Sequence, residues 1–125
     1  MGYLDRCEVS VLIGKTITEI ENNRDLIFKC DDGAEYKMYH DQYCCESVAI
    51  ESIDGDILDL IGVPIVMAEE IADDSYEESH KSDYEPDSCT WTFYKFATVK
   101  GYVTIRWYGE SNGYYSESVD FEKIS

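Results

Sequence analysis

The sequence predicts a mainly β fold of the α+β class, with about eight antiparallel strands in two repeated meanders, each preceded by a short helix. Three observations support this prediction. Apolar and polar residues alternate in several short segments, similar segments recur in the same order, and 11 tyrosines outnumber 4 phenylalanines. Tyrosine suits half-exposed sheet surfaces better than a dry helical core. A sandwich or a strongly bent sheet is expected to bury the apolar strand faces.

A short helix is expected at the start of each half of the chain. The segment 56–62 begins with an acidic residue and ends with glycine, as short helices do. Ile57, Leu60 and Ile61 have the spacing of one buried helix face, and Pro64 prevents the helix from continuing. An equivalent helix in the first half is expected to bury three apolar residues: Val9, Leu12 and Ile13.

Period-two alternation of apolar residues predicts the strands. It is clearest in four segments: Leu26/Phe28/Cys30, Tyr36/Met38/His40, Val103/Ile105/Trp107 and Val119/Phe121. The first two of these segments form a predicted hairpin around 31–33. Segments 91–99 and 102–108 form another around 100–101. A further hairpin turn is expected at Ser111-Asn112-Gly113, because Asn and Gly tolerate the positive φ that it requires.

Similar segments in the two halves indicate an internal duplication within a single domain of residues 1–125. Residues 12–17 recur as 60–65, and six of the eleven residues in 43–53 are identical in 114–124. The alternative is independent convergence on similar strand composition. The predicted repeats are 9–53 and 57–125.

The second repeat carries about twenty residues more than the first, as an acidic insertion at about 73–88. It is the most acidic stretch of the chain. Long loops in compact domains are usually functional or disordered, so three alternatives stay open: a docking surface, a plain solvated loop or a calcium loop. The calcium alternative lacks the alternating order of ligands that such loops use.

Charge is the strongest functional signal, because 27 acidic residues face 10 lysines and arginines, a formal net charge of −17. A net charge of about 2–8 already keeps a small domain soluble, and the excess destabilises the fold through self-repulsion. Such a surface repels nucleic acid and anionic membrane and attracts basic protein. The sequence therefore predicts a non-enzymatic acidic protein that binds a basic host protein surface, with no direct nucleic-acid or membrane contact.

Two sets of residues are expected to contact this partner. The first set belongs to the acidic insertion: Asp73, Asp74, Tyr76, Glu77, Glu78, Asp83, Tyr84, Glu85 and Asp87. The second set lies on or beside the last strand: Glu117, Asp120 and Glu122. Carboxylates that recur every ~6.6 Å along a strand face would form an anionic grid resembling a phosphate backbone. The alternative is a mixed polar face, in which basic residues interrupt the grid and form cross-strand pairs. These residues are Lys29, Lys37, Lys95, Arg106 and Lys123.

Metal and enzyme sites have less support in the sequence. His40, Cys44 and Cys45, with Cys7 or Cys30, form a candidate metal cluster, but neighbouring cysteines on a strand point to opposite faces. Cys30 fits a small core residue better. A cysteine nucleophile served by His40 is the enzyme alternative, without any recognised catalytic motif. No metal or other cofactor is predicted.

The expected location is the reducing cytoplasm, and the expected state is a monomer or a homodimer. The five cysteines are odd in number, and residues 1–6 lack the apolar core of a secretory leader. No apolar run approaches the ~20 residues of a membrane-spanning helix.

Leu60-Ile61-Gly62 running into 64–70, together with Glu117-Ser118-Val119, resembles a family of small uncharacterised phage and prophage proteins. The resemblance covers most of the chain except the acidic insertion and implies an accessory protein that acts inside a bacterium. Many phage proteins of similar size and acidity inhibit host defence, including nucleic-acid-mimicking anti-CRISPR proteins, so an inhibitor is expected by analogy. The alternatives are a structural or assembly protein of phage origin and a small enzyme.

Overall fold

Two antiparallel sheets, one of five strands and one of four, form the protein. The computed structural model describes residues 5–23, 25–42, 46–73, 88–111 and 117–124. In chain order the elements are β1 (Asp5–Arg6), the 3-10 turn η1 (Val9–Leu12), β2 (Ile17–Asn22), β3 (Leu26–Cys30), β4 (Glu35–Tyr39), β5 (Ser47–Asp54), the 3-10 turn η2 (Ile57–Leu60), β6 (Met67–Asp73), β7 (Ser88–Thr98), β8 (Gly101–Ser111) and β9 (Asp120–Lys123). The prediction of a mainly β protein is confirmed.

The prediction of a short helix before each meander is wrong, because both segments form only a 3-10 turn of four residues. In η2 the Asp56 side chain accepts a hydrogen bond from the N–H of Leu58 at 3.0 Å, and Ile61 is already extended. Leu60 is fully buried as predicted, but Ile13 is 49% exposed. Ile13 leaves η1 in an extended conformation and bridges to Ile65. No helix in the described part of the chain is long and apolar enough to cross a lipid bilayer.

The predicted strand patterns are reproduced closely by the structure. The apolar residues of β3 at 26, 28 and 30 are buried, as are those of β8 at 103, 105 and 107. The two predicted hairpins are β3–β4 and β7–β8. The predicted turn at 112–113 lies outside the described residues.

Each half of the chain completes the sheet of the other half. Strands β2, β3 and β4 form a meander, and β9 pairs with the free side of β4. Strands β6, β7 and β8 form the second meander, and β5 pairs with the free side of β8. The strand orders are therefore β1-β9-β4-β3-β2 and β5-β8-β7-β6.

Isolated bridges join the two halves near their 3-10 turns. They pair Ile13 with Ile65, Thr16 with Pro64 and Ile17 with Ile61. When residues 48 apart are exchanged, the first and third bridges interconvert and the second maps onto itself. The halves thus contact each other with local two-fold symmetry at this point, whereas the internal duplication stays a prediction.

The inner faces of both sheets share one core. Phe28 of β3 contacts Phe96 of β7, and both side chains are fully buried. Trp107 on β8 donates its indole N–H to the Met38 sulfur on β4 at 3.2 Å. These contacts hold the two sheets face to face and leave their outer faces for other roles.

Candidate partner-binding surface

The acidic insertion connects two neighbouring strands at one end of the four-stranded sheet. Asp73 is the last residue of β6 and Ser88 is the first residue of β7. The remaining predicted contact residues of the insertion lie outside the described residues: Asp74, Tyr76, Glu77, Glu78, Asp83, Tyr84, Glu85 and Asp87. Cys44 and Cys45, the candidate metal ligands or nucleophiles, also lie outside the described residues. The partner-binding role of the insertion stays a prediction.

The three strand carboxylates do not form an exposed row. Glu117 is only 8% exposed and Glu122 only 7%, while Asp120 is half-buried. These positions leave Glu117 and Glu122 little surface to offer a partner.

Hydrogen bonds explain why Glu117 is tolerated inside the protein. Its carboxylate accepts a bond from the Thr90 hydroxyl at 2.7 Å and another from the Ser111 hydroxyl. A buried carboxylate that receives such bonds is far less costly than an unpaired one. Glu117 therefore ties the segment before β9 to β7 and β8, which is a structural role.

Glu122 faces the hydroxyl of Tyr39 on the outer side of β4 and β9. Burial raises the pKa of Tyr39 to about 12, and the negative charges of Glu122, Asp120 and Asp41 act in the same direction. The Oε2 atom of Glu122 is buried without a hydrogen-bond partner. Local anions thus hold the Tyr39 proton in place.

Lysines interrupt the anions on the outer face of the five-stranded sheet. Lys29 lies 2.7 Å from Glu21 and 3.6 Å from Glu19, on the neighbouring strand. Lys37 lies 3.8 Å from Asp25 and 4.7 Å from the ring centroid of Tyr39. This face is the mixed polar surface that the sequence left open as an alternative, and a continuous anionic grid does not extend across it.

An acidic edge lies along β6, the edge strand of the four-stranded sheet, where Lys95 of β7 is the cross-strand neighbour of Glu69. We use the name acidic edge for Glu8, Glu69 and Glu70, which are all exposed. None of them forms an ion pair with a described lysine or arginine. A groove of about 570 Å³ separates η1 from β6 and contains all three residues. The acidic edge leads along β6 directly into the insertion.

Electrostatic crowding is visible at Glu70. Glu70 is exposed as a residue, but partial desolvation of its carboxyl group raises its pKa. The hydrogen bond from the Tyr94 hydroxyl opposes this rise, and the charges of Glu8 and Asp120 add to it. Like charges therefore meet here without a neutralising base among the described residues. A basic group from another molecule would relieve that repulsion.

A buried histidine–glutamate pair was not predicted from the sequence. His40 Nε2 lies 2.7 Å from Glu46 Oε2, and both side chains are at least 96% buried. His40 Nδ1 lies 2.7 Å from the carbonyl oxygen of Ser118, which can only accept, so Nδ1 donates. The pair lines a cavity of about 320 Å³ together with Trp107. Its one signal in the sequence is the Glu46/Glu117 match between the predicted repeats.

Both imidazole nitrogens of His40 are occupied by these bonds, so in this arrangement the ring does not serve a nucleophile as a base. Instead it connects the segment before β5 to the segment before β9. Within the described ranges, no three His, Cys, Asp or Glu side chains come together as metal ligands.

The fold and the surface define a two-sheet β protein with an acidic edge that forms no ion pair within the described part of the chain. The chain belongs to the family of the domain of unknown function DUF7448, which matches residues 10–121. Comparisons with curated proteins and with solved structures found no match.

Proposed function

We propose that this protein is a non-enzymatic binding protein that covers a basic, nucleic-acid-binding surface of a host protein. The observation that carries the proposal is the net charge of −17, combined with an acidic edge that forms no ion pair with a described lysine or arginine. Long-range attraction would speed the encounter, and the acidic insertion and the acidic edge would make the contact.

The resemblance to phage and prophage proteins supports a phage-encoded inhibitor that works in the cytosol of a bacterial host, as nucleic-acid mimics of the anti-CRISPR type do. In this proposal the groove between η1 and β6 receives basic side chains. Glu117 and Glu122 keep the structural roles that their burial gives them.

The test is capture of host proteins by the immobilised full chain from bacterial lysate. Basic nucleic-acid-binding proteins are expected to bind at about 50 mM salt and to be lost at about 500 mM, because screening removes the attraction between exposed charges. Added duplex DNA of random sequence is expected to displace them. Capture that resists both salt and DNA would overturn the proposal.

Two charge-matched variants locate the contact. One converts Asp73, Asp74, Glu77 and Glu78 to their amides, and it is expected to lose the captured proteins. The control converts Glu19, Glu21, Glu35 and Glu51 to glutamine, which changes the net charge equally on other surfaces and is expected to retain most binding. Equal loss in both variants would show that the insertion is not the contact.

A structural or assembly protein is the second candidate. The observation that favours it is an aromatic cluster on the outer face of the four-stranded sheet, where Trp91 and Tyr108 have ring centroids 4.8 Å apart.

A further inference from the structure

The outer face of the four-stranded sheet carries a group of large side chains on three neighbouring strands. We call it the aromatic face and define it by Ile71, Trp91, Phe93, Arg106 and Tyr108. Register places Ile71 beside Phe93, Phe93 beside Arg106, and Trp91 beside Tyr108. Ile71 is 44% exposed, and the other four side chains are half-buried. A contiguous apolar surface of this kind marks an interaction site more often than scattered apolar residues do.

Arg106 is held over the rings of this face. Its guanidinium carbon lies 5.1 Å from the ring centroid of Trp91 and 5.9 Å from that of Phe93. Its only hydrogen bond to a described side chain is a long one of 3.4 Å to the Ser52 hydroxyl. No described carboxylate pairs with Arg106, although 27 acidic residues are present. A cation in this position is available to an anion from outside.

The two outer faces of the protein differ in kind. The five-stranded sheet exposes paired charges such as Lys29 with Glu21, whereas the four-stranded sheet exposes Trp, Phe, Tyr and Arg. Trp, Tyr and Arg are the residues that contribute most to the centres of protein–protein interfaces. The composition therefore points to a protein partner for the aromatic face.

We propose that the aromatic face binds the same face of a second copy of this chain, forming a two-fold symmetric homodimer. Two chains of the same strong negative charge repel each other, and the repulsion is weakest where the centre of a face carries Arg106 and Lys95. Sheets stack face to face at about 10 Å with interdigitating side chains. A self-complementary patch is what two-fold association requires.

Charges at the rim of the face complete the complementarity. Glu69 on β6 and Asp54 on β5 lie at the two ends of one cross-strand row, with Lys95 and Thr104 between them. The rim of one copy thus offers carboxylates to the cations at the centre of the other. Each copy would therefore contribute both carboxylates and cations to the interface.

Salt distinguishes this dimer from the proposed function. Salt screens the long-range repulsion between the two acidic chains, but it leaves the aromatic contacts intact and screens charge pairs buried in the interface much less. Dimerisation is therefore expected to strengthen as salt rises. Binding of a basic partner is expected to weaken under the same change. Each proposal can therefore fail without the other.

Sedimentation of the full chain over a range of concentrations, at low and high salt, tests the proposal. Arg106→Glu and Phe93→Thr are each expected to weaken dimerisation by about tenfold or more. Lys123→Glu, an exposed position outside the face, is the charge-matched control for Arg106→Glu and is expected to dimerise like the unmodified chain.

Tryptophan fluorescence gives a reading that needs no variant. Trp107 is only 1% exposed, so acrylamide quenching reports mainly on Trp91, and it is expected to fall as the dimer forms. A chain that is monomeric at every concentration and salt would overturn the proposal, as would a dimer that Arg106→Glu leaves intact. A monomer that captures another protein through Arg106 would also overturn it, in favour of a different partner.

Discussion

The Phe28 ring lies against the Phe96 ring, with centroids 5.9 Å apart and planes tilted by 48°. The two residues come from the central part of different sheets, and both are fully buried. This contact is therefore one of the points at which the two sheets stabilise each other.

A double-mutant cycle measures that contact. Phe28→Leu and Phe96→Leu are expected to lower the free energy of unfolding non-additively, with a coupling of about 0.5–1.5 kcal/mol, the range of aromatic pairs. Urea denaturation of the four proteins gives the coupling. Additivity within about 0.3 kcal/mol would mean that the ring contact contributes nothing specific.

Removing His40 leaves a fully buried carboxylate at Glu46 without its imidazole partner. His40→Ala is therefore expected to lower the free energy of unfolding by about 1–3 kcal/mol or more, because it removes a hydrogen-bond partner from a buried carboxyl group and also the bond to the Ser118 carbonyl oxygen. Glu46→Gln is expected to lower it by much less, because the amide N–H can donate to Nε2 while Nδ1 still donates to Ser118. Chemical denaturation compares the two variants, and equal losses would contradict this account of the pair.

Gly55 and Gly33 both adopt positive φ, at +97° and +88°, but their surroundings differ. A Cβ at Gly55 would lie 2.4 Å from the carbonyl oxygen of Tyr102, whereas a Cβ at Gly33 would meet nothing within 4 Å. Gly33→Ala should show only the strain of the left-handed conformation, about 1–2 kcal/mol. Gly55→Ala is expected to lower the free energy of unfolding by at least about 1 kcal/mol more. Thermal or urea unfolding makes the comparison, and similar losses would contradict the steric argument.

Alkaline pH is expected to destabilise the protein in part through Tyr39. Its pKa is raised from 10.0 to about 12 in the folded state, so between these values the unfolded chain loses the proton first. Stability contributed by the protonated phenol is thus present below pH 10 and is lost as pH rises toward 12. Tyr39→Phe is expected to show a shallower loss of the urea midpoint over this range. An unchanged slope would show that Tyr39 does not titrate abnormally.

The raised pKa of Glu70 predicts that the stability of the protein also depends on pH in the acidic range. Its pKa is raised in the fold, so the fold disfavours the ionised form, and stability falls as pH rises through the ordinary value of 4.5. Glu70→Gln is therefore expected to raise the melting temperature near neutral pH and to have little effect well below pH 4.5. Glu69→Gln on the same strand controls for net charge. A gain that is independent of pH, or equal in both variants, would contradict the prediction.

Strand positions could be predicted from the sequence because burial on one face imposes a period of two, as in β3 and β8. The length and type of the short helices could not. The spacing of Ile57, Leu60 and Ile61 fits a 3-10 turn as well as an α-helix, and only the extended backbone at Ile61 decides between them.

The pairing partners of β5 and β9 could not be predicted from the sequence either. An alternating strand fits the edge of either sheet, and its choice depends on contacts formed by the whole fold, such as the bond from His40 to the backbone of Ser118.

The candidate surface was predicted only in part. Charge alone suggested that Glu117 is exposed, but the hydroxyls of Thr90 on β7 and Ser111 at the end of β8 keep it inside, and such side-chain partners cannot be read from the sequence. The aromatic face was missed because β7 is apolar on both sides: Trp91 and Phe93 point outward, while Tyr94 and Phe96 point into the core. In such a strand the period-two pattern does not indicate which face points into the core.

The reciprocal exchange of β5 and β9 has a consequence for biosynthesis. The sheet built by the amino-terminal half needs β9 beside β4, and the ribosome adds β9 after all the other described strands. The five-stranded sheet therefore cannot reach its final strand order until β9 has been synthesised, so the amino-terminal half cannot complete its fold on its own.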